Sequence, residues 1–378
     1  GRDRGRAGGD DDPSTGGGAA RGRGARSDVS ATYYSGRYWN DLVSVRRHLA
    51  IRATGEPGVT WYEWLGRDGR TFDRVLMLNC GNGWVERALH DARLIGSVVG
   101  VDIDAGFIEG ARLAAGKCGL DAEYVLVDVD REDLPEGPFD LVVNHAAAHH
   151  IAYIDRAMRQ IHERLTPDGL FVSWDYVGPH RNQYSRAQWE AASAVNNELP
   201  EALRQTMAYP DLDLMIATDR SEAVHSELVL PMIDRYFEVE WLRRLGGGIA
   251  YPLLTHNEAI HDAADDEAEP WIDHVMQADQ RFVESHPEHN LFAFVVARRR
   301  ADLPPEQALI DWEYEERMRE EEAAANGFEY GPRTELAHEI ASAPTPGPIG
   351  AFAARRLPGL TSAYNRMVEW VRRSARRR

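Results

Sequence analysis

Apolar positions in this chain fall into short continuous runs separated by stretches with a helical repeat. The runs at 74–79, 97–102, 123–127, 139–144 and 170–175 are too short for helices and too uniformly apolar for a half-exposed sheet, so they read as buried strands. Between them, 84–93, 105–117 and 152–165 repeat their apolar residues at three- and four-residue spacing; Val85, Leu89 and Leu94 trace one such face. Strands alternating with helices of this length predict an α/β domain built on a parallel sheet. Upstream, Trp39, Leu42, Val45 and Leu49 share one face of an amphipathic helix. It is read equally as a support for the sheet edge and as a lid. Two further strands are expected at 237–242 and 291–298.

The first run ends in a Gly-x-Gly turn, Gly81-Asn-Gly83, and a helix follows at once. Glycine permits a sharp turn and a close backbone approach, and the amides of a helix start favour a polar or anionic group. The second run closes on Asp102, nineteen residues after Gly83, where a carboxylate can accept ribose hydroxyls. That arrangement fits NAD and also S-adenosylmethionine (SAM). The position of a third glycine is taken by Arg87 or Ala88, which points to a ligand without a pyrophosphate. Ligands of such sheets bind at the carboxyl ends of the strands. That rule gathers Asn79, Gly81, Asp102, Asp128, Asn144, His145 and Asp175 on one edge.

Five motifs in order resemble a class I SAM-dependent methyltransferase, over about residues 38–298. Val75-Leu-Met-Leu-Asn-Cys-Gly-Asn-Gly83 resembles the first, Val99-Gly-Val-Asp-Ile-Asp104 the second, and Val125-Leu-Val-Asp-Val-Asp-Arg-Glu-Asp-Leu-Pro135 the third. Phe139-Asp-Leu-Val-Val-Asn-His-Ala-Ala-Ala-His-His-Ile151 resembles the fourth, and Leu165-Thr-Pro-Asp-Gly-Leu-Phe-Val172 the turn before strand five. Met77 stands where the family often has an acid, and Asn79 where it often has the first glycine. The resemblance implies a Rossmann-like seven-stranded sheet with helices on both faces, its last two strands antiparallel. It implies SAM held by Asn79, Cys80, Gly81 and Gly83, with Asp102 and Ile103 at the ribose. Asp128 and the backbone of Val129 then fall at the adenine, and Asn144 at the same edge. Asp175-Tyr-Val-Gly-Pro-His-Arg-Asn-Gln-Tyr184 resembles a segment of a bacterial subgroup associated with glycan or natural-product pathways.

The remaining segments divide the chain. Residues 1–30, rich in Gly and Arg, are expected as a disordered arm. Residues 31–70 form the N-terminal helical lid, and 71–300 the SAM-binding core. Within the core, 179–233 is too long for a simple connection. It is read as a helical insertion over the acceptor pocket, with helices at 188–203 and 221–233, the second capped by Asp219 or Ser221. Gly246-Gly-Gly248 marks a mobile or tightly packed loop, which with the residues to 257 would shape the same pocket. Residues 301–378 form a helical extension whose last, basic amphipathic helix suits a partner, the protein's own surface or an anionic membrane.

Composition adds limits. The formal net charge of −18 argues against a general nucleic-acid binder. No apolar run reaches membrane-spanning length, and two cysteines give no disulfide framework, so the cytosol is the default compartment. Lys117 is the sole lysine among 43 basic residues, a bias typical of a GC-rich genome.

The chemistry implied is methyl transfer to a hydroxyl oxygen of a small-molecule or glycan-type acceptor. It needs positioning and a proton acceptor, and a histidine serves that purpose. The candidates are His149, His145, Asp175 and His256, with His150, Tyr176, His180 and Asn182 near them. His145 and Asp175 are expected to face a common acceptor. His145, His149 and Asp175 could also ligate a metal, but two imidazoles argue against magnesium, and the expectation is no metal. N- or C-methylation, and a non-catalytic partner-binding protein of the same fold, stand as rivals.

Overall fold

The computed structural model describes residues 37–304 apart from 213, 214, 217, 218 and 220. The expected arm at 1–30 and the extension from 305 lie outside the described residues. Seven strands form one sheet: β1 (Phe72–Leu78), β2 (Ile95–Asp102), β3 (Asp121–Leu126), β4 (Phe139–His145), β5 (Leu165–Tyr176), β6 (Phe237–Gly246) and β7 (Phe292–Arg299). Their order is β3-β2-β1-β4-β5-β7-β6. β1 to β5 run parallel, and β7 pairs antiparallel with both β5 and β6. The predicted class and the antiparallel closing pair are therefore present.

The alternation of side chains along a strand explains the two cores. Val75 and Met77 join Val98, Leu141, Val143 and Val172 on one face. Leu76 and Leu78 join Val99, Val101, Val142 and Phe171 on the other. All four residues 75–78 are buried, as a central parallel strand requires. The edge strands differ: β6 exposes most of its middle.

The helices are α1 (Val43–Thr54), α2 (Trp61–Leu65), α3 (Trp84–Asp91), α4 (Ala105–Cys118), α5 (Ile154–Arg164), α6 (Arg186–Glu198), α7 (Val229–Tyr236), α8 (Ala250–Leu254), α9 (Glu258–Asp262) and α10 (Asp265–Ser285). α4 starts where Asp104 accepts the amides of Gly106 and Phe107, an N-cap. α1 buries Val45, Leu49 and Ala53 and packs on β6 and α10, which is the edge-supporting reading of this segment.

The triple-glycine loop is tightly packed. Asp279 of α10 accepts the amides of Gly247, Ile249 and Ala250 at 3.0, 2.8 and 3.1 Å, and Arg52 of α1 donates to it at 2.7 Å. Gly246 has φ +79°, and a Cβ there would fall 2.0 Å from the Arg52 guanidinium; only glycine fits both conditions.

One expected helix starts later than its pattern suggests. Residues 221–225 do not begin a helix at Asp219 or Ser221; a 3₁₀ turn covers Ser226–Leu228 and α7 follows. The backbone of 221–225 is drawn elsewhere. Val224 N–H donates to the His149 carbonyl and Arg181 N–H to the Ala223 carbonyl. Asp219 accepts the Ser221 amide and hydroxyl at 2.8 and 2.6 Å, closing a local turn instead of capping a helix. The expected helix over 188–203 is likewise shorter: α6 stops at Glu198, and a separate turn spans Glu201–Leu203.

Candidate active site

The carboxyl ends of β1 and β2 build the first half of the site. Asn79, Gly81 and Gly83 all have positive φ, at 41°, 54° and 70°. Gly83 has a second constraint: a Cβ there would lie 2.7 Å from the Tyr124 hydroxyl and 3.1 Å from Ala111 Cβ. The Asp102 carboxylate accepts the Gly81 amide at 2.8 Å and the Asp104 amide at 2.9 Å. It thus ties the glycine turn to the end of β2 while keeping further acceptor capacity. Cys80 is buried, and its amide donates to the Val101 carbonyl. Ile103 is 67% exposed beside Asp102. A large apolar side chain left in solvent at this edge fits an aromatic or ribose face of a ligand.

Asp128 stands at the end of β3 in a local turn. It accepts the Asp130 amide at 3.1 Å and faces Arg131 at 3.6 Å, while Val129 is buried. Asp130 links this turn to the chain after β4 by accepting the amides of Ala152 and Tyr153. Beneath the glycine turn, Glu86 of α3 is wholly buried, and neither carboxylate oxygen has a hydrogen-bond partner among the described residues. Burial, above all, lifts its pKa to about 8.

The second half of the site lies at the ends of β4 and β5. The His149 Nδ1 is 2.6 Å from Asp175 Oδ1. The other oxygen, Oδ2, accepts Asn144 Nδ2 at 2.7 Å and the Ala148 amide at 2.8 Å. Asn144 also donates to Ser173 and accepts from the Ala148 amide. It is fully buried and held against Asp175 at the carboxyl end of β4. Burial favours neutral His149, but the charges of Asp175, Glu222 and Asp219 outweigh it and raise its pKa to about 9. Burial raises and the His149 charge and hydrogen bond more strongly lower the pKa of Asp175.

His145 has an aromatic surround. It stacks at 6.0 and 6.1 Å between Trp61 and Trp174, with Trp84 edge-on at 5.0 Å. Its Nδ1 has no partner among the described residues, and burial lowers its pKa to about 4. Asp175 hydrogen-bonds His149 and not His145, although its charge also acts on His145. His256, at the end of α8, has φ 56° and lies 5.4 Å from the Tyr38 ring, outside the His149 cluster. His180 Nδ1 meets the Val224 carbonyl at 2.5 Å.

Three residues here were not among the expected site residues. Glu222 Oε2 lies 3.9 Å from His149 Nε2 and 3.7 Å from His150 Nε2. Ser221 Oγ meets His150 Nδ1 at 3.2 Å. Arg181 is fully buried and holds the turn by donating to the carbonyl of Glu222 at 2.8 Å. Burial above all raises the pKa of Tyr38, to about 12, and of Tyr176, Tyr184 and Tyr251, and the Glu222 charge adds to it in each. These tyrosines, from the segment before α1, β5, the segment before α6 and α8, thus all feel one carboxylate. A surface hollow lined by Arg70, Asp73, Asp140 and Arg298 is at the opposite, amino-terminal edge of the sheet.

Residues 76–173 match the family model described as "Methyltransferase domain". With the sheet order above, the chain carries a class I SAM-dependent methyltransferase domain, whose cofactor is SAM. Its relatives divide in what they are named for. It is 31% identical over 109 residues to the mitochondrial arginine-hydroxylase NDUFAF5 of Homo sapiens, covering 29% of this chain and 30% of that protein. It is 36% identical over 110 residues to a ubiquinone biosynthesis O-methyltransferase of Chelativorans sp., covering 28% and 43%. An uncharacterized methyltransferase of Mycobacterium tuberculosis is 30% identical over 124 residues, covering 32% and 61%. The chain thus spans about a third to under two thirds of these relatives. Among solved structures, geranyl diphosphate methyltransferase in complex with SAM aligns at 14% identity and TM-score 0.40, covering 74% of this chain and 93% of that one. No helix among the described residues is long and apolar enough to cross a membrane.

Proposed function

We propose that this protein is a SAM-dependent methyltransferase acting on a hydroxyl oxygen of a small-molecule or glycan-type acceptor, with His149 as the general base. The observation that carries this is the buried His149–Asp175 pair at 2.6 Å, on the same sheet edge as the glycine turn. An ionised Asp175 accepts the Nδ1 hydrogen, so loss of the second proton, which the pKa of about 9 places at alkaline pH, leaves the lone pair on Nε2. Asn144 and the Ala148 amide fix Asp175 in turn. This is the base-and-orienter arrangement that accepts a proton and stabilises the resulting imidazolium.

When bound, SAM supplies a methyl group on a sulfonium that leaves as a neutral thioether. Asn79, Gly81 and Gly83 would hold its methionine part, Asp102 and Ile103 its ribose, and Asp128 with Val129 its adenine. The chain's own tasks are to orient the acceptor hydroxyl, take its proton at His149 Nε2 and keep water out. The tyrosines around Glu222 supply an apolar wall with polar tips, suited to a ring bearing hydroxyls. The ubiquinone relative's name supports oxygen as the acceptor atom.

Removing a general base slows turnover by about 10²- to 10⁴-fold. His149→Ala should do so, with SAM affinity in calorimetry within about twofold of wild type, and Asp175→Asn should follow it. Wild-type turnover in His149→Ala would refute the assignment.

A further inference from the structure

We propose that His149, His150 and Glu222 form a binding site for a divalent transition-metal ion, and that loading it is mutually exclusive with base catalysis at His149. The second clause rests on the function proposed above; the first does not.

The donor geometry leads there. Asp175 Oδ1 receives His149 Nδ1 at 2.6 Å. The Ser221 hydroxyl donates to Asp219 at 2.6 Å, so its oxygen is free to accept from His150 Nδ1 at 3.2 Å. In their neutral forms, which a metal ion would select, both imidazoles therefore carry hydrogen at Nδ1 and bare lone pairs at Nε2. Those two nitrogens face a single carboxylate oxygen of Glu222, at 3.9 and 3.7 Å. With both rings neutral, three electron-rich atoms lie within 4.8 Å of one another, too far apart for hydrogen bonds, and a metal cation can replace the His149 proton among them. A tetrahedral ion with bonds of ~2.1 Å sets its donors ~3.4 Å apart, so a small contraction closes the site.

The surrounding hydrogen bonds match those of built metal sites. A ligating histidine usually donates its other ring N–H to an oxygen acceptor that fixes the ring, and both histidines do so here. His149 and Glu222 are each only 7% exposed, and the Arg181 guanidinium pins the Glu222 carbonyl. Two imidazoles and one carboxylate suit zinc, iron or cobalt and not magnesium or calcium. With three protein ligands, a fourth position stays open. This triad differs from the His145, His149 and Asp175 set that the sequence suggested, and it runs against the expectation of no metal.

His149 Nε2 cannot hold a metal and accept a proton together. Cobalt(II) added to chelator-treated full-length protein should bind one equivalent and give visible absorption of a low-coordinate N/O site. The same addition should inhibit methyl transfer, and a chelator should restore it. Glu222→Gln and His150→Gln should each lower cobalt affinity by at least about tenfold in calorimetry. No cobalt binding by wild type, or binding that both variants retain, would overturn the site. Binding that leaves turnover unchanged or raises it would overturn the exclusivity. Because binding is read without turnover, and the His149→Ala rate is read without metal, the two proposals fail separately.

Discussion

Glu86 offers a quantitative test of how the site is built. Its carboxyl is buried under the glycine turn with no hydrogen-bond partner among the described residues, so desolvation opposes its ionisation. Ionisation in the fold then occurs near pH 8 and not at the ordinary 4.5. At ~1.36 kcal/mol per pH unit, that difference corresponds to about 5 kcal/mol, an upper bound because water can enter as the group charges. The sign follows from proton uptake. Below about 4.5 both folded and unfolded chains hold the proton, and Glu86 costs nothing through ionisation. Between about 4.5 and 8 only the fold holds it, so stability falls as pH rises; above 8 the loss is complete. Glu86→Gln keeps the shape and removes the titration. Urea unfolding midpoints of both proteins, measured from pH 5 to 9, should nearly coincide at pH 5. They should then diverge, with the variant the more stable at pH 9 by several kcal/mol. Parallel curves would mean that Glu86 is hydrated or paired in solution, and the reasoning would fall.

Two further outcomes are expected. Asp279→Asn leaves the Arg52 guanidinium, 9% exposed, without its counter-charge, and should lower stability by about 3–5 kcal/mol in denaturant unfolding; combining it with Arg52→Met should not restore wild type, because the amides of Gly247, Ile249 and Ala250 also use Asp279. Asp102→Ala removes an ionic acceptor worth about 1.5–3 kcal/mol per contact, so SAM affinity in calorimetry should fall at least about tenfold; unchanged affinity would contradict the ribose assignment.

The cofactor half of the site was more legible than the acceptor half. The glycine turn and Asp102 are adjacent through one strand–turn–helix unit and its neighbour, so spacing along the chain nearly equals spacing in the fold. His149 and Asp175 were named from the same logic of strand ends. Their pairing was not, because either His145 or His149 could reach Asp175 from sequence alone. What separates the two histidines is the wall of Trp61, Trp84 and Trp174 around the first. Glu222 left no local signal at all. It sits in a segment whose pattern suggested a helix, and its turn exists because Arg181 and the His149 carbonyl bind that backbone.

The order of strands, the turn that meets the cofactor and the list of candidate histidines were thus determined by the sequence itself, since each depends on periodicity or on glycine at a given residue. Which histidine is charged, which carboxylate faces it and which loop is rigid were decided only by tertiary structure. Those properties depend on burial and on distances between residues far apart in the chain, and neither quantity exists until the sheet and the 221–225 turn have closed over one another.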